Sequence, residues 1–225
     1  QSFCNHFLDT VGHTLEARID RDLSRVIYDG RATYVKPFSI GVEWPSRHEI
    51  PLRDFASERE AVLRENDLPP DTLLGLGVDR IDYTKGIPER LLAVERMLER
   101  HPELIGRFCF IQIGAPSRTL IRRYQDLTHE VKEIAQRINQ RFKSGQTPPI
   151  LLRMSTHGSS QVFRYFRAAD FCMVSSLHDG MNLVAKEYVA SQSAQEGVLI
   201  LSELAGAANE LSEEIGRASC RERVS

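Results

Sequence analysis

Two short blocks of the sequence combine residue types that suit the binding of a phosphorylated sugar. Residues 178–189 read HDGMNLVAKEYV and place Asp179, a glycine turn and a predicted helix start directly after an apolar run. Residues 77–86 read GVDRIDYTKG and carry Arg80 and Lys85 at the end of another apolar run. A carboxylate accepts hydrogen bonds from sugar hydroxyls, and a helix N-terminus and paired cations bind phosphate. Together the blocks predict a site that holds a sugar beside a diphosphate.

The two cations differ in a way that suits a pair of phosphates. Arginine offers a planar bidentate fork, whereas lysine offers a compact charge. A diphosphate leaving group gains negative charge as its bond to a sugar breaks, so fixed cations stabilise that transition state more than the ground state. The alternative for Arg80 and Lys85 is a pair of solvated loop cations. The alternative for Asp179 is a helix N-cap, a position for which aspartate is a preferred residue.

Short apolar runs alternate with amphipathic segments through most of the chain. Near-continuous hydrophobicity over such short lengths is typical of strands covered on both faces, as in a parallel sheet. Five strands alternating with helices predict a doubly wound α/β domain with right-handed crossovers. The predicted strands cover residues 73–78, 108–113, 150–154, 171–174 and 198–201. The predicted helices begin at Pro88, run over 120–138 and run over 180–189.

The segment before this domain has a different pattern. Apolar residues within 7–15 predict a helix, and residues 26–35 predict two short strands joined by an Asp29-Gly30 turn. Residues 58–66 predict another helix, which the Pro69-Pro70 pair ends. We therefore place a domain boundary near residue 70.

Polar residues follow each predicted strand at the point where it ends. In an open parallel sheet, ligands bind beyond the carboxyl ends of the strands, near a topological switch point. The five predicted strands therefore direct cations, a carboxylate and glycines to one edge of the sheet. In chain order these residues are Arg80 and Lys85, Ser117 and Arg118, His157 and Gly158, Asp179 and Gly180, and residues 203–206.

The composition excludes several other classes of protein. A chain of 225 residues with 41% hydrophobic residues can bury a core, while a net charge of -2 argues against general binding to nucleic acid or an anionic membrane. Its four cysteines form no CxxC pair, and neither they nor the histidines have metal-ligand spacing, so we predict no metal or other cofactor. Absence of a signal peptide and of a membrane-length apolar run predicts a soluble, cytoplasmic protein.

Both blocks, together with residues 197–211 (GVLILSELAGAANEL), resemble the trehalose-6-phosphate synthase family of retaining glucosyltransferases. The resemblance is close from about residue 73 to residue 211 and looser before it. It implies a GT-B fold, with a Rossmann-like nucleotide-sugar domain at 70–213 preceded at 1–69 by the last part of a second Rossmann-like domain that binds the acceptor. The family's N-terminal glycine-rich loop and closing helices have no counterpart, so we expect a fragment. Residues 214–225 resemble a translated sequencing adapter, and we expect a non-native tail.

The resemblance also implies an activity. The family transfers glucose from a nucleotide-glucose donor to glucose 6-phosphate with retention of configuration, in a scheme that requires no protein nucleophile. UDP-glucose is the expected donor, while the sequence leaves uridine, adenosine and guanosine donors open, and we expect no metal to take part. Arg80 and Lys85 match the cations on the diphosphate, and Asp179 matches the carboxylate on the transferred glucose. These three are the predicted catalytic residues. Arg118, predicted in the first turn of a helix, matches the cation on the acceptor phosphate.

Further donor contacts are implied by the same alignment. Asn182 is included in the donor site, Leu183 and Val184 would contact the donor through their backbone, and Glu187 would bind the ribose hydroxyls. Core packing is the alternative for Leu183 and Val184, and a solvent-facing helix carboxylate is the alternative for Glu187. His157 matches a position that contacts the donor mainly through its backbone, and an ordinary loop histidine is its alternative.

Two other functions remain open at this point. A glucosylglycerol-phosphate synthase would share the donor half and use glycerol 3-phosphate as the acceptor. A noncatalytic module could retain the fold, although a decayed site has no physical reason to keep all the donor residues. We expect the chain alone to be inactive, because a cleft enzyme needs both domains to exclude water. A homo-oligomer is compatible with the sequence.

Overall fold

The computed structural model describes residues 2–38, 40–42, 55–145, 147–192 and 197–211. The expected tail at 214–225 lies outside these residues. The chain forms two compact units, residues 1–41 and residues 42–225. Each unit has its own secondary structure and is described by itself.

The first unit is a helix with a small antiparallel sheet. Helix α1 covers Ser2–Leu15, and strands β1, β2 and β3 cover Arg18–Asp20, Arg25–Tyr28 and Arg31–Tyr34. Strand β2 lies between the other two. Asp29 and Gly30 join β2 to β3 with φ values of 49° and 72°, as a two-residue type I′ turn requires. The predicted helix and hairpin are confirmed, and β1 is a strand that the sequence analysis did not predict.

The second unit is a doubly wound α/β domain, as predicted. Its five strands are all parallel and lie in the order β6-β5-β4-β7-β8. The chain builds outward from β4 to β6 and then returns to the other side of β4, so the topological switch point lies between β4 and β7. The helices are α2 (Phe55–Glu65), α3 (Ile87–Arg100), α4 (Arg122–Phe142), α5 (Ser159–Ala168) and α6 (Leu183–Ser191), and the strands are β4 (Leu73–Arg80), β5 (Phe108–Ala115), β6 (Ile150–Arg153), β7 (Phe171–Val174) and β8 (Val198–Leu201).

Each face of this sheet has its own apolar core. Successive side chains of a strand alternate between faces, so in β5 Phe108 and Phe110 pack with the α3 and α4 side, and Cys109 and Ile111 pack with the α2, α5 and α6 side. Burial raises the pKa of the Cys109 and Cys172 thiols to about 12, as expected for apolar core residues. None of the described helices has the length and apolar character needed to cross a membrane.

The division between the units differs from the boundary proposed near residue 70. Helix α2 belongs to the parallel-sheet unit, where Val62 and Leu63 share a core cluster with Phe166 of α5. Arg164 of α5 also donates to the buried Glu58 of α2. Helix α2 ends before the proline pair, in a turn where Asp67 is left-handed and the Leu68 amide donates to the Leu63 carbonyl at 2.9 Å. The apolar face of this helix is buried against α5, which lies on the far side of that break.

Three helix starts are also shifted from their predicted positions. Helix α4 begins at Arg122 rather than at 120, and Leu120 is 96% exposed. Helix α6 begins at Leu183 because Asn182 has a φ of 74°, which is outside the helical region. Helix α3 begins one residue before Pro88, after Gly86 in the left-handed conformation.

Candidate functional site

The loop after β4 and the loop after β7 are joined to each other at the switch point. The amide of Leu177 donates to the carbonyl of Thr84 at 2.8 Å, and the hydroxyl of Ser175 donates to the carbonyl of Gly86 at 2.8 Å. A short 3-10 turn, Tyr83–Lys85, carries the predicted lysine. The crevice where an open α/β sheet binds its ligands is therefore built from two loops that are held together.

Lys85 and Asp179 form an ion pair across these loops. Lys85 Nζ lies 2.5 Å from Asp179 Oδ2, and the two side chains are only 15% and 16% exposed. Asn182 Nδ2 donates to the same oxygen at 3.0 Å. Burial opposes ionisation of Asp179, but the hydrogen bonds from Lys85 and Asn182 outweigh it and lower the pKa of the carboxyl group. The structure thus brings together one predicted diphosphate cation and the predicted sugar carboxylate.

Asn182, rather than Asp179, caps helix α6. Its Oδ1 accepts from the amide of Ala185 at 3.0 Å, and its side chain is buried. The first amides of the helix, Leu183 and Val184, have no intrahelical acceptor. The Val184 side chain packs against the core, so packing and a backbone contact to a ligand are compatible at this position. The N-cap alternative for Asp179 is replaced by its pairing with Lys85.

Glu187 lies one turn further along α6. Its side chain is partly buried, and no hydrogen bond or ion pair with the other described residues involves it. Burial raises the pKa of its carboxyl group. A carboxylate that is partly desolvated and without a protein partner is suited to accept hydrogen bonds from a ligand.

Arg80 is the last residue of β4 and is exposed. Its side chain takes part in none of the side-chain hydrogen bonds or ion pairs found among the described residues. The next loop residue with a polar side chain, Asp82, is buried and accepts from the amide of Thr84 at 3.0 Å, which caps the turn that carries Lys85. Burial opposes ionisation of Asp82, but the hydrogen bonds from Thr84 outweigh it and lower its pKa.

Arg118 is exposed and lies after β5, outside any helix. Its φ of 47° places it in the left-handed region, four residues before α4, so the prediction of a first-turn helix position is wrong. Its Nη1 donates to the Tyr124 hydroxyl at 2.7 Å, and that hydroxyl donates to Asp82 Oδ2 at 3.4 Å. Tyr124 therefore connects the predicted acceptor cation to the loop that carries Lys85.

His157 lies after the edge strand β6 and is held by its own loop. Its two ring nitrogens lie 3.1 Å from the Ser155 hydroxyl and 2.9 Å from Gln161 Oε1, and its ring packs edge-on against Tyr165. None of these contacts reaches the Lys85–Asp179 pair. The side chain thus behaves as the ordinary loop histidine that was the alternative.

A buried arginine below the Lys85 loop was missed by the sequence analysis. The Arg90 side chain is 0% exposed and forms an ion pair with the buried Asp79 of β4. A Cβ on Gly77 would lie 2.4 Å from Arg90 Nη1, so the guanidinium group occupies the space above a glycine of the central strand. Glycine inside an apolar strand often marks such a close approach, and Gly77 is the signal that could have located Arg90.

The arrangement is suited to bind a phosphorylated, hydroxyl-rich ligand. Cations, first-turn amides and an ionised carboxylate meet at one edge of the sheet, which is the combination that holds phosphate and orients sugar hydroxyls. Within the part of the chain that the structure describes, no group of three or more His, Cys, Asp or Glu side chains is placed to hold a metal ion.

Comparison with known proteins connects this site to one family. The sequence model of glycosyltransferase family 20 matches residues 1–216. The UDP-forming α,α-trehalose-phosphate synthase 2 of Aspergillus fumigatus is 38% identical over 209 residues, which cover 93% of this chain and 43% of that protein. This chain therefore spans less than half the length of that curated relative.

Solved structures give the same result. The E. coli trehalose-6-phosphate protein bound with UDP-2-fluoro glucose is 33% identical and has a TM-score of 0.78. The match covers 92% of this chain and 45% of the E. coli chain. The Burkholderia xenovorans α,α-trehalose-phosphate synthase (UDP-forming) in complex with glucose-6-phosphate is 34% identical and has a TM-score of 0.72. The match covers 83% of this chain and 41% of the Burkholderia chain. The parallel-sheet unit has the GT-B type of fold found in these neighbours. With both the sequence and the fold matched along most of its length, the chain belongs to glycosyltransferase family 20.

Proposed function

We propose that this chain forms the nucleotide-sugar half of an α,α-trehalose-phosphate synthase. The reaction transfers glucose from UDP-glucose to glucose 6-phosphate, with retention of configuration, and yields trehalose 6-phosphate and UDP. The observation that carries the proposal is the Lys85–Asp179 pair, with 2.5 Å between Nζ and Oδ2, at the switch point of the parallel sheet. A cation for a phosphate and a carboxylate for a sugar are thereby adjacent, as the bond between sugar and phosphate requires.

Arg80 and Lys85 act on the diphosphate. As the bond between C1 of glucose and the phosphate oxygen breaks, charge builds up on the departing UDP, and fixed cations stabilise it without reorganising. Lys85 has donor capacity beyond its contact with Asp179, because an ammonium group carries three N–H donors. Arg80 is exposed and available as a fork for two oxygens. The first-turn amides of Leu183 and Val184 add donors to the same ligand.

Asp179 orients the glucose, and Glu187 binds the ribose. The lowered pKa of Asp179 keeps its carboxylate ionised, so that it accepts hydrogen bonds from sugar hydroxyls and holds the anomeric carbon toward the acceptor. Glu187 has no partner among the described residues, and two ribose hydroxyls would supply the hydrogen bonds that its carboxylate lacks. Asn182 contributes indirectly, by holding Asp179 and by capping α6.

Arg118 binds the phosphate of the acceptor. Tyr124 restrains its guanidinium group, yet the side chain remains exposed on the edge of the sheet beside the β4 loop. A hydroxyl of the acceptor forms the new bond to C1 on the face from which UDP departs, and no protein nucleophile takes part. Glycerol 3-phosphate carries the same phosphate group, and it therefore serves as the competing acceptor in the test below.

Binding of UDP to the purified chain tests the donor site. We expect UDP to bind, and we expect Arg80→Ala to cost about 1.5–3 kcal/mol of binding free energy, the range for a hydrogen bond to a charged group. Arg96→Ala removes another exposed arginine, on α3, and serves as the control for loss of charge. Isothermal titration with UDP in the presence and absence of EDTA measures both effects and the metal independence that we expect. Equal affinity of the Arg80 and Arg96 variants would contradict the assignment.

Transfer of glucose is tested by measuring the product, trehalose 6-phosphate. We expect the chain alone, incubated with UDP-glucose and glucose 6-phosphate, to yield almost no trehalose 6-phosphate by mass spectrometry, because the acceptor side of the cleft is supplied by the remaining length of such enzymes. In a longer protein that contains this chain, Arg118→Ala should raise the KM for glucose 6-phosphate and leave that for UDP-glucose unchanged. Faster transfer to glycerol 3-phosphate would favour the alternative acceptor. A cytoplasmic location and a homo-oligomeric state belong to the same proposal.

A further inference from the structure

We propose that Arg90 is a positioning residue, which fixes the backbone of the Lys85 loop from below and thereby sets the contact between Lys85 and Asp179. The inference rests on the proposed function in one respect, namely that Lys85 contacts the diphosphate. The geometry that supports it is independent of any ligand. Arg90 belongs to α3, its side chain has no exposed surface, and it touches neither the sugar carboxylate nor the solvent.

The guanidinium group of Arg90 reaches three chain segments at once. Its Nη1 donates to Gln112 Oε1 of β5 at 2.8 Å, and its Nε donates to the Ser175 hydroxyl after β7 at 3.0 Å. Its Nη2 donates to the backbone carbonyl of Lys85 at 3.4 Å. A planar fork with fixed donor directions can hold several acceptors in one geometry, which a single point charge cannot do. The side chain thus spans from β5, across β4, to the loop after β7.

Ser175 extends this hold to the next residue of the loop. Its hydroxyl accepts from Arg90 and donates to the carbonyl of Gly86 at 2.8 Å. The carbonyls of Lys85 and Gly86 are therefore held from one arginine, the first directly and the second through Ser175. Since Lys85 lies on the β4 loop and Asp179 on the β7 loop, a group that binds both loops sets the separation of the pair.

Stability alone does not account for this buried charge. Apolar replacements of a buried ion pair are often neutral or stabilising, because the Coulomb attraction barely repays the desolvation of two charges. The pair here is also incompletely satisfied. Asp79 Oδ2 lies 2.7 Å from Arg90 Nη1, but neither oxygen of Asp79 makes a hydrogen bond of good geometry. A buried ion pair that is incompletely satisfied, and whose arginine holds two loops, is better explained by what it positions than by its contribution to stability.

Three variants separate positioning from folding. Arg90→Met removes the fork and leaves Asp79 buried without a counter-charge. The double variant Asp79→Asn with Arg90→Met removes both charges and should recover most of the lost thermal stability. Arg164→Met, in the same unit, removes an arginine that pairs with the buried Glu58 on the other side of the sheet, and it is the control for a lost ion pair away from the site.

Isothermal titration of the whole chain with UDP provides the first readout. We expect Arg90→Met to weaken UDP binding about tenfold, and we expect the neutral double variant to remain equally weak although its melting temperature recovers. In a Lys85→Ala background, Arg90→Met should have no additional effect on affinity. Recovery of UDP affinity together with stability, or effects that multiply in the Lys85→Ala background, would overturn the proposal.

Hydrogen exchange of the Leu177 amide provides a second readout that needs no ligand. This amide donates to Thr84 across the two loops and reports whether they remain together. We expect faster exchange in Arg90→Met and in the double variant, and unchanged exchange in Arg164→Met. If the parent chain binds no UDP, the proposed function fails while the exchange data still decide the role of Arg90. Unchanged exchange in the double variant refutes that role.

Discussion

The two halves of the functional edge are built differently. The loops after β4 and β7 are joined by hydrogen bonds, and Asp82, Gly86 and Asn182 within them are buried. The loops after β5 and β6 are more exposed, and Leu120 in the first of them is 96% exposed. The proposed donor half, made of the loops after β4 and β7, is thus preorganised by the chain itself. The loop after β5 is tied to the β4 loop through Tyr124, and the loop after β6 is held by the contacts of His157 with Ser155 and Gln161. Under the proposed function, this edge of the sheet is fixed around the donor and more open where the acceptor would bind.

The largest expected effect on the donor half comes from Gly86→Ala. A Cβ there would lie 2.3 Å from the Ser175 carbonyl oxygen, and the φ of 61° adds left-handed strain. We expect a loss of about 2–5 kcal/mol of unfolding free energy, from overpacking and strain together. Gly145→Ala is the matched control, because its φ is 60° but nothing lies within 4 Å of the added Cβ. Strain alone predicts about 1–2 kcal/mol for it. Urea unfolding measures both, and equal losses would mean that the two loops separate easily.

Removal of the Asn182 side chain should destabilise the donor half less than Gly86→Ala does. Asn182→Ala removes the cap of α6 and a hydrogen bond to the ionised Asp179, so we expect a loss of about 1–3 kcal/mol of unfolding free energy. Asn182→Asp keeps a capping oxygen but places a second carboxylate beside Asp179, the proposed glucose ligand. Compared with the parent chain, this variant should lose more affinity for UDP-glucose than for UDP. Chemical unfolding and titration with both ligands check these outcomes. A fully stable alanine variant would remove the basis for a preorganised donor half.

Tyr124→Phe tests the connection between the halves. It removes the hydroxyl between Arg118 and Asp82, so we expect a loss of about 0.5–1.5 kcal/mol of unfolding free energy and a change of less than about threefold in UDP affinity. Asp82→Ala, which removes the cap of the Lys85 turn, should weaken UDP binding more. Thermal unfolding and titration of both variants measure the difference. If Tyr124→Phe weakened UDP binding as much as Asp82→Ala, the halves would not be separable.

The smallest effect concerns Glu187 and depends on pH. Its pKa is raised by burial, so the folded state binds this proton more tightly than the unfolded state. The resulting stabilisation is complete below the unfolded pKa of about 4.3 and is lost as the pH rises through the folded pKa. Glu187→Gln should therefore stabilise the chain at pH 7 by roughly 0.5 kcal/mol, and the gain should vanish near pH 4.

The same substitution should cost about 1 kcal/mol of UDP binding at pH 7, because glutamine accepts more weakly than a carboxylate. Thermal melts across this pH range, combined with titration of UDP, provide the check. A variant that is neither more stable nor weaker in binding at pH 7 would place Glu187 outside the donor half.

Much of the fold followed from local sequence pattern. The five parallel strands were predicted from short apolar runs. The polar residues after them predicted a shared edge, and the structure brings Lys85 and Asp179 together there. The domain boundary was displaced because the turn at Pro69-Pro70 is a strong local signal, whereas the packing of α2 on α5 is a long-range contact. The start of α6 was displaced because aspartate and asparagine are both good caps. The φ of Asn182 and its hydrogen bond from the Ala185 amide identify it as the cap, and neither is visible in the sequence.

Arg90 could not be predicted from periodicity. It is the neighbour of Leu91 in an amphipathic helix, where an arginine is normally solvated. Its burial depends on space that three other segments leave open. Gly77 of β4 has no side chain there, and Gln112 of β5 and Ser175 after β7 border the remaining gap. Such a fit between distant segments has no counterpart in a local pattern of polar and apolar residues.

The space over Gly77 has a consequence for how this sequence can vary. Any side chain at position 77 would overlap the guanidinium group, since the first added carbon already lies 2.4 Å from Nη1 and 2.5 Å from Gln112 Oε1. A change at 77 therefore requires a smaller residue at 90, and the smaller residue releases the Lys85 loop. In a library selected for retained function, Gly77 and Arg90 should therefore be retained together, even though thirteen positions separate them along the chain.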